Sequence, residues 1–308
     1  MSGLTVSDLT FSIVARDRKT GQLGVAVQSH WFAVGAAVPW VRAGVGAVAT
    51  QSFTDIVIGS LGLKMMAAGK DAKQTLDSLL QSDRNSEDRQ VAIVDSRGSV
   101  AVHTGRKCFP NAGHFKGDQF SCQGNLMKNS RVWEAMAESY LANKQLEFPE
   151  RLIAALEGGQ EVGGDIRGKQ SACLLVVSEK PLTNEFQGKL VDLRVDDHPD
   201  PIRELRRLMR LRRGYDLATS GDILLIEGKS EDAMKAYAKS VEYVPEEDEL
   251  KYWQAVTLIQ IGRVSEGKVL LKRVFKKNRN WLALTRMLAD KGLFPNDPKI
   301  LKDILSSS

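Results

Sequence analysis

A change of composition near residue 200 divides this chain and limits what it can fold into. Twenty of the 26 glycines precede residue 201, together with most of the short β-branched runs, whereas the last hundred residues are rich in Leu, Lys, Glu and Ala. The change falls at His198-Pro199-Asp200-Pro201, where two prolines within three residues disfavour a continuous helix. A length of 308 residues is consistent with two domains. We therefore expect a domain boundary between Pro201 and Gly214.

Two pairs of short apolar runs predict β-hairpins in the first half of the chain. TFSIVARD and LGVAVQS, which begin at Thr10 and Leu23, flank a polar turn that contains Gly21. QVAIVD and SVAVHTG flank the turn Ser96-Arg97-Gly98. Apolar, β-branched runs on either side of a short glycine-containing turn are typical of antiparallel strand pairs. We therefore expect antiparallel sheet before residue 200.

Other segments of this half complete a mixed pattern. GVGAVATQ (44–51) predicts a strand buried on both faces, because nearly all of its side chains are small. Apolar periodicity predicts helices over 54–82 and 130–157, and SACLLVVSE and KLVDLRVDD predict two further strands. Helices that occur in blocks between hairpin-linked strands favour an α+β layered fold, in which a sheet-on-sheet core lies between helix layers.

The last hundred residues repeat with a period of 34. The recurring positions are Gly228, Ala233 and Tyr237 and, one period later, Gly262, Gly267 and Leu271. Helix–turn–helix segments with this period resemble the tetratricopeptide family over about residues 214–281. A plain helical bundle is the alternative interpretation, because two repeats are fewer than the three usually needed for stability.

These patterns predict four segments along the chain. Residues 1–9 form an N-terminal extension, 10–200 the layered domain, 201–213 a basic connecting helix and 214–308 a tetratricopeptide-like helical domain. Because so short a repeat array needs further contacts, we expect it to lean on the first domain or to pair between chains. The sequence therefore favours a homo-oligomer, with a further protein partner of the helical tail as an open alternative.

Charge and cysteine content exclude several classes of protein. The net charge is +5, and much of the basic excess lies in 203–213 and 272–279. No zinc finger, RNP motif or helix-turn-helix accompanies these stretches, so we expect solvated helix faces and no nucleic-acid partner. No run of eighteen apolar residues and no signal-peptide pattern is present, which predicts no membrane association. Cys108, Cys122 and Cys173 lack CxxC spacing and are odd in number, as expected for reduced thiols in a cytoplasmic protein.

Several polar side chains lie in glycine-rich, apolar surroundings, where a polar group needs a partner or a function. They end predicted strands or lie in glycine loops, where sites are commonly built. The candidates are Thr10, Ser12, Gln28, Ser29, Thr50, Gln51, His103, Thr104, Gln123, Asn125, Asp165, Arg167, Gln170 and Ser171. Asp165 and Arg167 have a second interpretation, an ion pair that only stabilises their loop.

The chain lacks the motifs of common metal, phosphate and nucleophile sites. Its four histidines form no HxH, HExxH or Cys/His cluster, so we expect no metal and no cofactor. There is no GxSxG, and GGDIRGKQS lacks the spacing of a phosphate loop. Cys108 follows His103 closely, but a free cysteine is commonly a small buried hydrophobe, and we favour that interpretation for all three cysteines.

A family resemblance rests on several motifs taken together. They are TFSIVARD, TGQLGVAVQS, VGAAVPWVRAGVGAVATQS, HTG, AGH, QGN, GGDIRGKQSACLLVV and DLRVDDHPDPIRELRRL, and they span about residues 10–211. In combination they resemble the domain of unknown function 1028 family. The resemblance implies an N-terminal-nucleophile (Ntn) hydrolase-like, four-layer αββα sandwich, which agrees with the layered order expected above.

The resemblance also implies a mechanism. In an Ntn hydrolase, a Thr, Ser or Cys opens the first strand with a free α-amine, and that amine acts as base for its own side chain. The matching residue here is Thr10, which follows nine residues, MSGLTVSDL. Thr10 gains a free amine only if the Leu9–Thr10 bond is cut. Without cleavage, Thr10 is simply a β-branched residue of a strand.

Two functions follow as hypotheses. The first is hydrolysis of an amide-type C–N bond in a small molecule or peptide, with Thr10 as nucleophile, His103 as acid/base or hydrogen-bonding group and Asn125 as oxyanion donor. The substrate-binding residues would be Gln28, Ser29, Gln51, Asp165, Arg167 and Ser171. The second is a non-catalytic Ntn-like scaffold whose helical repeats mediate protein–protein interaction or oligomerisation.

Overall fold

Two antiparallel sheets form the core of the first two hundred residues. The computed structural model describes residues 10–180, 188–292, 294 and 297–306, and the expected N-terminal extension 1–9 lies outside them. One sheet, sheet A, has the strand order β10-β9-β2-β1-β8-β7, and the other, sheet B, has the order β3-β4-β5-β6. The strands are β1 (Thr10–Arg16), β2 (Leu23–Ser29), β3 (Pro39–Arg42), β4 (Gly46–Ser52), β5 (Arg89–Asp95), β6 (Val100–Thr104), β7 (Gly113–Gly117), β8 (Phe120–Gly124), β9 (Ser171–Val177) and β10 (Lys189–Val195).

Helices cover the outer face of each sheet. Helices α1 and α2 pack on sheet B, and α3 and α4 pack on sheet A, so the order of layers is helix, sheet, sheet, helix. The helices of this part are α1 (Ile56–Ala67), α2 (Ala72–Ser82), α3 (Val132–Ala142) and α4 (Phe148–Glu161). Local chemistry sets the start of α2, where the Asp71 carboxylate accepts from the Gln74 N–H at 2.8 Å and the Gln74 side chain accepts from the Asp71 N–H, a capping box.

The space between the two sheets is apolar over most of its length. Val14, Val25 and Val27 of sheet A pack against Ala47, Ala49 and Val94 of sheet B, all fully buried. Because side chains alternate along a strand, the residues between these face the helix layers instead. Small side chains on β4 let the sheets and α1 approach closely, which is why GAVATQS is buried on both faces.

The second part of the chain is helical. The helices are α5 (Pro201–Ile226), α6 (Ser230–Tyr243), α7 (Asp248–Gln260), α8 (Val264–Lys277), α9 (Asn280–Asp290) and α10 (Pro298–Ser306). Compact units divide the chain between Arg207 and Leu208, within α5. The predicted connecting helix 201–213 is thus the first half of a longer helix that runs on to Ile226. No described helix is both long enough and apolar enough to cross a membrane.

The predicted hairpins are confirmed. Strand β1 pairs antiparallel with β2, and β5 pairs with β6. The predicted helical stretches 54–82 and 130–157 each contain two helices, and SACLLVVSE and KLVDLRVDD contain β9 and β10. Strands β3, β7 and β8 were not predicted, and β8 pairs directly with β1.

Candidate functional site

One end of the two-sheet core gathers the strand ends that carry the candidate residues. In sheet A, Thr10 at the start of β1 is opposite Ser29 at the end of β2, and Ser29 is opposite Ser171 at the start of β9. In sheet B, the end of β4 lies beside the start of β5, which pairs with the end of β6. The apolar interior stops here and polar side chains replace it. We call this set, Thr10, Ser12, Gln51, Gln90, Ser121, Gln123 and Asn125, the polar end; all seven are fully buried.

Gln90 is the centre of the hydrogen bonds in the polar end. Its Nε2 donates to the backbone oxygens of Gly113 at 3.0 Å and Gly124 at 2.9 Å, and to Thr104 Oγ1 at 2.9 Å. Its Oε1 accepts from Gln51 Nε2 at 2.7 Å and from Asn125 Nδ2 at 3.0 Å. One amide side chain therefore ties β5 to β4, β6, β7 and β8.

A second branch starts at Ser12 on β1. The Ser12 hydroxyl donates to Gln51 Oε1 at 2.7 Å and accepts from Gln123 Nε2 at 2.6 Å. Gln123 Oε1 in turn accepts from the Ser121 hydroxyl at 2.9 Å. Both branches meet at Gln51, so the polar end is one connected network across the two sheets. Networks of this kind are stabilising when satisfied and costly when a member is removed.

Thr10 is held through both its hydroxyl and its carbonyl group. Its Oγ1 donates to Ser29 Oγ at 3.1 Å. Its carbonyl oxygen accepts from Gln51 Nε2 and from the Asn125 N–H, each at 3.1 Å, with Asn125 Nδ2 at 3.5 Å. Three of the predicted site residues, Ser29, Gln51 and Asn125, therefore contact Thr10 directly.

The glycine-rich loop before β9 lies at the same end of the core. Its two charged residues, Asp165 and Arg167, form an ion pair with each other. Arg167 donates from its backbone N–H and Nε to Asp165 Oδ1, and its terminal nitrogen lies 2.8 Å from Asp165 Oδ2. The His30 N–H also donates to Asp165 Oδ2, at 3.1 Å. Asp165 is buried, so this ion pair fixes the loop against the residue that follows β2.

Ser171 holds the neighbouring segment in the same way. Its hydroxyl donates to the Trp31 carbonyl and accepts from the Val34 N–H at 3.1 Å. The segment after β2 is thereby pinned to the start of β9, and it carries two exposed aromatic side chains, Trp31 and Phe32. Ser171 thus shapes the rim of the polar end without contacting Thr10 in the described hydrogen bonds.

Two predicted site residues face the opposite way. His103 shares a face of sheet B with Val91, which packs in the core beneath α1 and α2, and its Nε2 lies 2.9 Å from the Ser86 carbonyl oxygen. Gln28 lies opposite Phe11 and faces the α3–α4 layer, where Phe11 approaches Gly159. Neither side chain joins the polar end. The step of two along a strand decides this, since Gln90 and Thr104 occupy the inward positions next to Val91 and His103.

Sequence reasoning missed Gln90 and Ser121 and singled out Ser12, Thr104 and Gln123 without a role. Gln90 precedes the run VAIVD at even spacing from the inward-facing Ala92 and Val94, and that spacing was the available signal. His114 was also missed. Its Nδ1 lies 2.9 Å from Thr104 Oγ1, and burial, followed by the charges of His103 and Lys116, lowers the pKa of His114. Thr104 therefore links a neutral histidine at the surface to Gln90.

Left-handed backbone conformations cluster around the polar end. Five described residues other than glycine have φ between 53° and 75°. Four of them, Ala33, Ser52, Asn111 and Leu126, lie around the polar end, and the fifth, Gln119, lies in the turn between β7 and β8. Ala33 follows β2, Ser52 ends β4, Asn111 precedes β7 and Leu126 follows β8. Residues held in this region cost free energy and are common at functional sites. The backbone thus turns sharply after Gln51 and after Asn125, the two residues whose side chains reach Thr10.

The three cysteine thiols have raised pKa values and are therefore weak nucleophiles. Burial raises the pKa of the Cys108 thiol, and it raises that of Cys173 to about 12 and that of Cys122 well above the ordinary value. A thiol with a raised pKa is protonated at neutral pH and is a poor nucleophile. Among the described residues, no three His, Cys, Asp or Glu side chains come together as a possible metal site.

Comparison with known proteins identifies a family. The model of the family of unknown function DUF1028 matches residues 10–205. The crystal structure of protein SPO2555 from Silicibacter pomeroyi, described by the same family, is 29% identical and aligns with a TM-score of 0.59 over 66% of this chain and 88% of that one. No curated protein matches.

Proposed function

Because this chain belongs to the DUF1028 family, whose function is unknown, we propose that it hydrolyses an amide-type C–N bond of a small molecule or peptide. Thr10 would be the nucleophile, in the manner of an Ntn hydrolase, once the Leu9–Thr10 bond has been cut. The helix–sheet–sheet–helix order of layers supports the Ntn-like assignment, as does the position of β1 inside sheet A rather than at an edge.

The observation that carries the proposal is the environment of Thr10. It opens β1 at the polar end, its hydroxyl donates to Ser29, and its carbonyl is held by Gln51 and Asn125. A nucleophile of this type needs a fixed backbone and a hydroxyl free of charged partners, so that only its own amine takes the proton. A threonine of an ordinary strand does not need three amide donors around its carbonyl.

The reaction would proceed in two balanced steps. The α-amine of Thr10 takes the Oγ1 proton as Oγ1 bonds to the substrate carbonyl carbon, and the amine then returns that proton to the departing nitrogen as the C–N bond breaks. Water next attacks the acyl-enzyme, which releases a carboxylic acid and restores the Thr10 hydroxyl. Backbone N–H groups would hold the oxyanion, because Asn125 Nδ2 already donates to Gln90 and approaches the Thr10 carbonyl. We assign no step to His103, which faces away from Thr10.

The first experiment is the intact mass of the purified protein. A species that begins at Thr10 is expected, and its yield should fall in the Thr10→Ala variant if the chain cuts itself. A chain that begins only at Met1 or Ser2 would eliminate the Thr10 mechanism. Mass spectrometry answers this without knowledge of the substrate.

The second experiment screens simple amides, dipeptides and cyclic ureas for hydrolysis. Thr10→Ala should abolish activity, whereas Thr10→Ser, which keeps a hydroxyl, should retain part of it. Thr75→Ala is the matched control, because Thr75 is equally buried but lies in α2. Equal activity of Thr10→Ala and Thr75→Ala would overturn the proposal.

A second candidate function rests on the helical part. Helices α6 and α8 begin 34 residues apart, which supports the tetratricopeptide-like interpretation. Helices α6, α7 and α8 line an open groove with Met234, Leu258 and Leu270 along its apolar side. We propose that this part mediates self-association or binding of a protein partner. Deleting residues 227–308, which leaves α5 whole, should abolish association in light-scattering measurements; an unchanged mass would count against this role.

A further inference from the structure

One oxygen of the polar end lacks a partner. Asn125 is fully buried, and its Oδ1 has no hydrogen bond among the described residues. Every other side-chain oxygen and nitrogen of the polar end has at least one. A buried acceptor without a donor costs free energy, and native proteins seldom keep one without a reason.

The identity of this atom as oxygen follows from the geometry of its neighbours. The Gln90 atom near Gly113 and Gly124 must be nitrogen, because a backbone carbonyl oxygen only accepts. The other atom of that amide is then an oxygen, and the Asn125 atom that lies 3.0 Å from it must be the NH2 group. The remaining Asn125 atom is therefore Oδ1.

The same deduction is repeated on the other side of Gln90. The Gln51 atom 2.7 Å from Gln90 Oε1 must also be nitrogen, and its second partner, the Thr10 carbonyl oxygen at 3.1 Å, agrees with that assignment. Gln51 Oε1 then faces the Ser12 hydroxyl, which can donate to it. Gln90 thus sets the direction of the hydrogen bonds through the polar end, and a rotation of the Asn125 amide would place two acceptors against each other.

The position of the oxygen ties it to Thr10. The backbone N–H of Asn125 donates to the Thr10 carbonyl, and its Nδ2 lies 3.5 Å from the same oxygen. Asn125 Oδ1 is bonded to the same carbon as that Nδ2, so it also lies near the start of β1. The next residue, Leu126, has φ +56°, so the backbone turns directly after Asn125.

We propose that Asn125 Oδ1 is the acceptor for an N–H donor of the ligand at Thr10. Under the function proposed above, on which this step rests, the substrate class is a primary or secondary amide, and tertiary amides, which have no N–H, are excluded. The same chemistry has a second source in the α-amine that cleavage would free on Thr10. Asn125 thus acts on the ligand as an acceptor, through an orientation that Gln90 imposes.

Paired probes test the acceptor without any need for turnover. N-methylacetamide has one N–H, and N,N-dimethylacetamide has none. We expect the full-length chain to bind the first about tenfold more tightly in an NMR titration, the effect of one hydrogen bond to a buried acceptor. Asn125→Leu should bring the ratio to about one. Thr75→Ala, an equally buried threonine of α2 outside the polar end, should leave it unchanged.

Repeating the titration with the chain that begins at Thr10 distinguishes the two sources. A preference in the full-length chain that disappears in the cut chain assigns the oxygen to the Thr10 amine, whereas a preference in both assigns it to the substrate. Equal binding of the two probes in both forms, or binding of neither, overturns the proposal. If the chain prefers the N–H probe but hydrolyses no amide, the proposed function is wrong, and the assignment of Asn125 Oδ1 as an acceptor is still supported.

Discussion

At the scale of the residue, Gln90 stabilises the join between the two sheets. Its five hydrogen bonds reach four other strands or their ends, and two of the acceptors are backbone oxygens, of which that of Gly124 is buried and needs a partner inside the core. Burial of an amide costs free energy unless its bonds are made, so Gln90 is tolerated here because every atom of its amide is used. Forming the polar end therefore requires burial of polar groups, which costs free energy that an apolar core does not spend.

We predict that Gln90→Leu lowers the free energy of unfolding by about 2–4 kcal/mol, because it leaves the buried Gly124 carbonyl and Asn125 amide, and the half-buried Gly113 carbonyl, with missing or weaker partners. Gln81→Leu is the matched control, since Gln81 is exposed on α2 and the same change there should stay within about 0.5 kcal/mol. Urea unfolding of the two variants measures the difference. A loss below about 1 kcal/mol for Gln90→Leu would mean that the network contributes little to stability.

At the scale of the element, the hairpins are predictable because their strands contain runs of apolar residues. VAIVD and GVAV are apolar and β-branched, and glycine turns end them. Strands β7 and β8 were missed because their sequences, GHFKG and FSCQG, mix glycine, charge and amides. Strand β8 pairs with β1 across more than a hundred residues of chain, and β7 joins the sheet only through β8, so local patterns do not report either position.

The candidate site was predictable only in part, for a related reason. Thr10, Ser29, Gln51 and Asn125 lie at a strand end or within one residue of it, so a search for polar residues near strand ends finds them. His103 and Gln28 satisfy the same criterion but face the helix layers, because one step along a strand reverses the side chain. Gln90 begins its strand on the inward face, and its partners come from four other segments. A single sequence gives no distance between them.

Helix α5 contains the arginine-rich stretch 203–213, for which the sequence predicts a solvated helix face. Arg206 pairs with Glu157, Arg207 with Glu204 and Arg212 with Asp216. Arg210 pairs with Glu246. Four arginines of this stretch are thus paired with carboxylates, and each partner belongs to the same compact unit as its arginine. Exposed pairs of this kind contribute little stability, but they reduce the field that a free basic patch would produce.

The contact between α3 and α4 gives a prediction for glycine. A Cβ on Gly158 would lie 2.6 Å from Ser139 Cβ and 2.8 Å from the Ala135 carbonyl oxygen, so Gly158→Ala should destabilise the protein by about 1–3 kcal/mol. Gly62→Ala in α1 is the control, because its Cβ would meet nothing closer than 3.4 Å. There the gain in helix propensity should stabilise by up to about 1 kcal/mol. Thermal unfolding that ranks the two variants in the reverse order would contradict the packing described for α3 and α4.

At the scale of the whole molecule, each compact unit has cores of its own. The cluster between the sheets and the cluster beneath α1 and α2 draw their residues from before residue 178. Two further clusters draw theirs from after residue 217. Since the family match ends at residue 205 and the units divide after Arg207, the match to the DUF1028 family and the first unit cover nearly the same residues. Apolar burial, the main stabilising contribution, is thus separate in the two units.

We therefore predict that a chain ending at Ile226, which keeps α5 whole, retains the fold of the first unit. Hydrogen exchange measured by mass spectrometry should give β1 and β5 the same protection in the shortened and full-length chains, because the cores around these strands lose no residue. Amides of α5 beyond Arg207 should exchange faster, since their partners in α6 and α7 are gone, Ser240 on the Gly214 carbonyl among them. If β1 and β5 lost their protection instead, the two units would fold as one, and the activity of Thr10 would depend on the helical part.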